Sequence, residues 1–289
     1  MPMTAQPPPL PQPPPRPDLR ADGTSIGTAP SSSQAPPNET AATLPDGRPK
    51  VTWRWWHALI AFFITNIVIA QVLVGGLIVA LTGVEVTSGA AGAGVLGLTI
   101  VTNAVAVAGL IAWLERQHPG WREAIRLVPA SQRIREFGVS FALGLGLYPA
   151  VAIGAGLIVA SLLQVITDQT VTAPDQIATD LTLVGKLLAV FVALFAAPVA
   201  EELFFRGVLF RGIRDRHGFW PGALASSLLF GLVHYVAAPW PDAVFLQGVM
   251  MFTGVGLCLI YEWRKSLLSN IAAHIAFNSI GIALILVTG

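Results

Sequence analysis

The sequence predicts an all-α bundle of about seven membrane-spanning helices behind a disordered, proline-rich tail. Three observations predict it: a shortage of charge, a series of long apolar runs, and connecting segments that alternate in sign. Charged residues make up 11% of the 289, hydrophobic residues 54%, and the mean hydropathy is +0.66. A soluble domain keeps about a quarter of its residues charged to cover its surface. This chain has too little polar material for a water-facing exterior, so lipid must form much of its surroundings.

Met1 to about Lys50 holds most of the 22 prolines, with Ser, Thr, Gly and Gln between them. Such a composition buries too little apolar surface to offset the entropy of ordering, so the segment reads as a disordered tail. Its Pro-Gln-Pro-Pro-Pro-Arg-Pro stretch fits a polyproline-binding groove, although a solvated tail is the simpler reading. From Val51 to Gly289 the chain reads as one transmembrane domain. Its apolar runs have about the 20 residues that cross a hydrocarbon core. They fall near 57–81, 91–114, 137–163, 183–205, 220–238, 243–261 and 267–287. The runs are continuous and do not alternate apolar with polar, which argues against a barrel.

The connections place the ends. Arg48, Lys50 and Arg54 precede the first run, and Glu85 follows it. Arg116, Arg122, Arg126, Arg133 and Arg135 come next, then Asp168, Asp175 and Asp180. Arg206, Arg211, Arg214 and Arg216 restore the positive sign, Asp242 follows, and Arg264 with Lys265 leads into the last run. Basic loops stay cytoplasmic. A multi-pass protein of the plasma membrane is expected, with the N-terminus inside and the C-terminus outside. The stretch from Arg116 to Glu136 reads either as an amphipathic helix on the inner leaflet or as a solvated loop.

Neither the net charge of +1 nor the charge pattern indicates nucleic acid. The single cysteine, Cys258, excludes an intrachain disulfide and reads as a packing residue. The expected partners are membrane lipid and a peptide or protein substrate, and no cofactor is expected.

Ionisable groups within a span are costly and point to function. Glu201 and Glu202 lie in Glu-Glu-Leu-Phe-Phe-Arg near the end of the fourth run, His234 in the fifth, and His274 in the seventh. Glu202 and Arg206 are four apart and can pair. Glu201 points about 100° away from that pair. It is left toward the bundle interior, in a setting suited to proton transfer. Pro198 is expected to kink the helix and aim Glu201. His274 and Asn278 share a face and offer two donors to a developing oxyanion. Each histidine alone would read as an interhelical hydrogen-bonding residue. A carboxylate and two imidazoles on three spans of one bundle argue for assembly. Lys186, near a span end, can snorkel. Asn66, Gln71, Asn103, Gln247 and Thr253 read as interhelical partners, Ser269 and Asn270 as caps, and Asp242 as a turn residue. The glycines of the third run, Gly144 among them, read as packing features.

Three segments then carry a resemblance. Glu-Glu-Leu-Phe-Phe-Arg resembles the EExxxR motif, Phe-Gly-Leu-Val-His the FxxxH motif, and His-Ile-Ala-Phe-Asn the HxxxN motif of the CPBP family. That family comprises type II CAAX prenyl endopeptidases and bacteriocin-processing or immunity-related membrane proteins. The resemblance covers about 183–287. It implies a glutamic intramembrane endopeptidase that uses no metal. Glu201 and His234 would activate a water, His274 and Asn278 would hold the oxyanion, and Glu202 with Arg206 would complete the first motif. Phe230 would shape the pocket wall. The chain has neither an HExxH helix nor a Gly-x-Ser-x-Gly elbow. A His₂Glu zinc site from the same residues, a non-catalytic scaffold or immunity protein, and a proton-relay transporter are the alternatives. The expected site is a wet cavity reached from the cytosol.

Overall fold

The computed structural model describes residues 43, 47, 49–83, 92–126, 132–174, 181–234 and 238–288. They belong to one unit, Thr43–Gly289. The tail expected over residues 1–50 lies almost wholly outside them.

The described chain is helical, and six helices are long and apolar enough to cross a membrane. We number the helices α1 (Trp55–Thr82), α2 (Gly92–Gln117), α3 (Trp121–Ala124), α4 (Arg133–Thr167), α5 (Leu183–His217), α6 (Phe219–Val233), α7 (Trp240–Arg264) and α8 (Leu267–Thr288). The outward faces are apolar. Val72, Ile153, Leu157 and Val165 are all more than half exposed, a surface stable only against lipid.

The fifth run differs from its expected extent. α6 has 15 residues, about 22 Å, and stops at Val233 rather than near Ala238. It starts beside the end of α5, where Gly222 packs on the Arg214 backbone. The next helix, α7, starts at the other end of the bundle, where Asp242 accepts hydrogen bonds from Thr172 N and Oγ1 at 2.8 and 3.1 Å. Asp242 thus ties two connections together rather than forming an isolated turn.

One end of the bundle gathers the arginines. Arg211 donates to Pro49 O, Ala124 O and Asp215, and Val51 N donates to Asp215 at 3.1 Å. Arg264 pairs with Glu136 at 2.6 Å, Arg214 pairs with Glu262, and Tyr261 donates to Ile125 O. Trp53, fully buried, donates from Nε1 to Val208 O at 2.8 Å. The stretch read as an amphipathic helix or a solvated loop is neither in its first half. Trp121 and Ile125 are buried in the main core, and only a four-residue helix forms there. Leu127 and Val128 lie outside the described residues. His118, just past α2, hydrogen-bonds through Nδ1 to Thr52 Oγ1 at 2.8 Å. Burial first, and the nearby His57 second, hold its imidazole below the ordinary histidine range.

Two glycines set the helix spacing around the site. A Cβ on Gly144 would lie 2.1 Å from Ala273 O, and one on Gly231 would lie 2.4 Å from Gln247 O. α4 therefore crosses α8 one residue before His274, and α6 crosses α7 three residues before His234. Small residues permit such backbone approaches.

Candidate active site

Glu201 stands near the middle of α5, 18 residues after Leu183 and 16 before His217. The fourth run continues well past Phe205, its expected end, because residues 203–217 bury their apolar side against the lead-in segment and α6. That continuation lifts Glu201 to the depth of His234, which sits just beyond the C-terminus of α6. Pro198 falls at the start of an α-helical turn directly after a π-helical stretch, Val192–Ala196. The wider turn accommodates a residue that lacks an N–H and crowds the preceding carbonyl. A second π-helical stretch, Leu203–Phe210, follows the glutamates.

The two glutamates have different surroundings. Glu202 is fully buried and wholly satisfied. It accepts from Arg206 Nη1 at 2.8 Å, Asn270 Nδ2 at 3.1 Å and His274 Nδ1 at 2.9 Å. Arg206 also donates to Gly254 O at 3.2 Å, and its guanidinium stacks on the Phe230 ring, 4.5 Å from the centroid. Glu201 instead faces a cavity. Its Oε2 lies 4.0 Å from His234 Nε2 and 3.8 Å from His274 Nε2, and it has no hydrogen-bond partner. A buried carboxylate oxygen without a partner calls for a bound water or a substrate group.

Hydrogen bonds fix which ring nitrogens carry protons. His234 Nδ1 lies 2.6 Å from Phe230 O, and a carbonyl only accepts, so Nδ1 carries the hydrogen. In the neutral ring, Nε2 of His234 then presents a lone pair toward Glu201. His274 Nδ1 donates to Glu202, itself held as an ion by Arg206. For His274 Nε2 to donate as well, the ring must be an imidazolium.

The cavity has a volume of about 420 Å³. Glu201, His234, His274 and Asn278 line it, together with apolar side chains such as Phe245, Met250 and Phe277. Asn278 uses one amide hydrogen on Ala193 O at 2.7 Å, and its second remains for a ligand. Phe230 does not line this cavity. It is fully buried behind the site, wedged among Arg206, His234 and His274 with ring contacts of 4.5 and 5.9 Å to the two imidazoles. It spaces the polar groups rather than forming the wall. Among the described residues, no group of three His, Cys, Asp or Glu side chains is arranged to hold a metal ion.

Asn270 is the site residue that the sequence reading assigned elsewhere. It does not cap α8; it joins Glu202 to Leu257 O at 2.8 Å. The signal was present in its spacing, since Asn270, His274 and Asn278 recur every four residues on one helical face. Ser269, its neighbour, donates from Oγ to Glu136. Of the neutral intramembrane residues, Gln247 donates to Leu232 O and Thr253 to Val249 O. The side chains of Asn66 and Gln71 lie outside the described set.

A polytopic helical membrane protein, with one carboxylate facing two imidazoles in a cavity within the bundle, is the class that this fold and site define. Residues 183–280 match the family described as type II CAAX prenyl endopeptidase Rce1-like. That segment contains all three motifs that carry the resemblance to the CPBP family. The chain is also 27% identical over 94 residues to "Putative membrane peptidase YdiL" of Bacillus subtilis (strain 168). The match covers 32% of this chain and 35% of that protein, so the chain spans about a third of the length of this curated relative. No solved structure matches it significantly.

Proposed function

We propose that the chain is an intramembrane glutamic endopeptidase that cleaves a membrane-associated or C-terminal peptide with an activated water, without a metal. The observation that carries this reading is the placement of Glu201 Oε2 within 4.0 Å of both imidazole Nε2 atoms at the cavity wall. The family match and the described role of the relative support a peptidase.

The chemistry follows from the hydrogen-bond directions. A water between Glu201 and His234 meets two acceptors, the carboxylate and the Nε2 lone pair. It is therefore oriented with both hydrogens taken and its own lone pair free to attack. Glu201 accepts a proton as the oxygen bonds to the scissile carbonyl carbon. His274 Nε2–H and the free Asn278 amide hydrogen are placed to receive the oxyanion, and Glu202 holds His274 in orientation. The proton then returns to the departing amine, the C–N bond breaks, and the base is regenerated. Each oxyanion donor is worth roughly 10²–10³ in kcat.

The test uses purified chain in detergent or vesicles with a peptide library. Glu201→Ala and His234→Ala are expected to abolish cleavage while yield and melting temperature stay near wild type, and a chelator is expected to leave cleavage intact. Loss of activity on chelation, restored by zinc, would overturn the metal-independent reading. Cleavage by Glu201→Ala at the wild-type rate would overturn the hydrolase itself.

A further inference from the structure

The cavity does not extend toward the arginine-rich end of the bundle. On α5 its lining runs from Glu201 back through Ala197 and Ala193 to Ala189, away from Arg206 and Arg211. On α8 it runs forward from His274 through Asn278 to Ile285, away from Arg264 and Lys265. α7 contributes only its first half, Phe245 to Thr253, and α2 contributes Leu96 near its start. Ala173, exposed in the connection after α4, completes the lining, and its neighbour Thr172 is bound to Asp242.

Toward the arginines the site is closed. Phe205, Arg206, Phe230 and Glu202 are all almost fully buried beneath it, and Ser226 donates to Phe205 O at 2.9 Å. Below that floor lies a second buried polar layer, Arg211 with Asp215. The two ends also differ in charge. Arg54, Arg116, Arg133, Arg135, Arg214 and Arg264 belong to the closed end. Among the described residues, the open end carries Asp168, Asp242 and one base, Lys186. The positive-inside rule assigns the closed end to the cytoplasm.

We propose that the site is entered from the extracytoplasmic face, and that its substrate is an apolar segment of a peptide presented there. This rests on the hydrolase reading for the nature of the ligand, but not for the direction of access. The lining supports the apolar preference. Glu201 and the two histidines are its acidic and basic groups, so a charged side chain in the cavity would find no partner beyond the reacting centre. A cytosolic entrance, expected from the sequence, would have to pass through two layers of buried, mutually bonded side chains.

The test is thiol labelling of the full chain in right-side-out and inside-out membrane vesicles with an impermeant sulfonated maleimide. The native Cys258 is fully buried, so the unmodified chain is the blank. Ala173→Cys at the mouth and Ala193→Cys on the wall are expected to label several-fold above that blank in right-side-out vesicles. Arg135→Cys is expected to label in inside-out vesicles alone. Should Ala193→Cys destabilise the fold, Ile285→Cys reports on the same wall. Wall labelling only in inside-out vesicles, in neither type, or from the same side as Arg135→Cys would overturn the proposal. Labelling needs no turnover. A hydrolase reading that fails in the Glu201→Ala assay therefore leaves the access result standing, and a failed access result leaves the assay standing.

Discussion

Glu201 and Glu202 are adjacent in the chain and differ in what each carboxylate meets. Glu202 makes three hydrogen bonds inside a sealed polar layer; Glu201 makes none and faces the cavity. Substitution should separate them. Glu202→Gln leaves the Arg206 guanidinium buried without its counter-ion, and breaking such a pair costs about 3–5 kcal/mol. Glu201→Gln removes no hydrogen bond, so its effect on stability should be within about 0.5 kcal/mol. Thermal melts in detergent check this, with a large drop for Glu202→Gln and little change for Glu201→Gln. Equal drops would mean that both carboxylates are structural. The Glu202–Arg206 pair was legible because four residues along a helix is a fixed geometric relation. Asn270 was not placed, because its partners come from α5 and α7 and sequence spacing within α8 does not name them.

At the level of elements, the helices were legible as apolar runs, since length and continuity alone determine whether a segment can span lipid. Their ends were less so. α5 runs on through four arginines, which sequence reading treats as a stop. Burial of Arg206 and Arg211 against carboxylates and carbonyls lets the helix continue to His217. α6 stops short at Val233 with apolar sequence still ahead, a break that hydropathy does not mark. The break serves the site, since it leaves His234 at a helix end where its ring can reach back to Phe230 O. Within the broad α8–α4 interface, the backbones come closest at Gly144. Gly144→Ala would put a methyl group 2.1 Å from Ala273 O, so the helices must separate. Overpacking of this kind costs about 1–3 kcal/mol. The expected outcome is a lower melting temperature and reduced cleavage, because His274 follows Ala273. Gly138→Ala, with open space around it, is the matched control and is expected to change neither.

For the molecule as a whole, the lead-in segment before α1 belongs to the bundle and not to the tail composition that precedes it. Pro49 O and Val51 N close the Arg211–Asp215 layer, and the buried Trp53 indole takes up Val208 O in the π-helical stretch that follows the glutamates. Composition could not mark this junction, since Pro49 belongs to the proline-rich region by sequence and to the core by contact. Truncation distinguishes the two kinds of segment. A chain beginning at Thr43 keeps every one of these bonds, and it is expected to melt and cleave as the full chain does. A chain beginning at Trp55 loses Pro49, Val51 and Trp53 together. It leaves Arg211 short of an acceptor and Asp215 short of a donor, and it opens the space of an indole beside Trp113 and His118. Large-to-small changes at a buried aromatic alone cost about 3–5 kcal/mol. The shorter chain is therefore expected to aggregate or to melt far below the longer one, as read by size-exclusion chromatography and thermal melting. Equal stability of the two chains would mean that the α5 register around Glu201 is set without the lead-in segment.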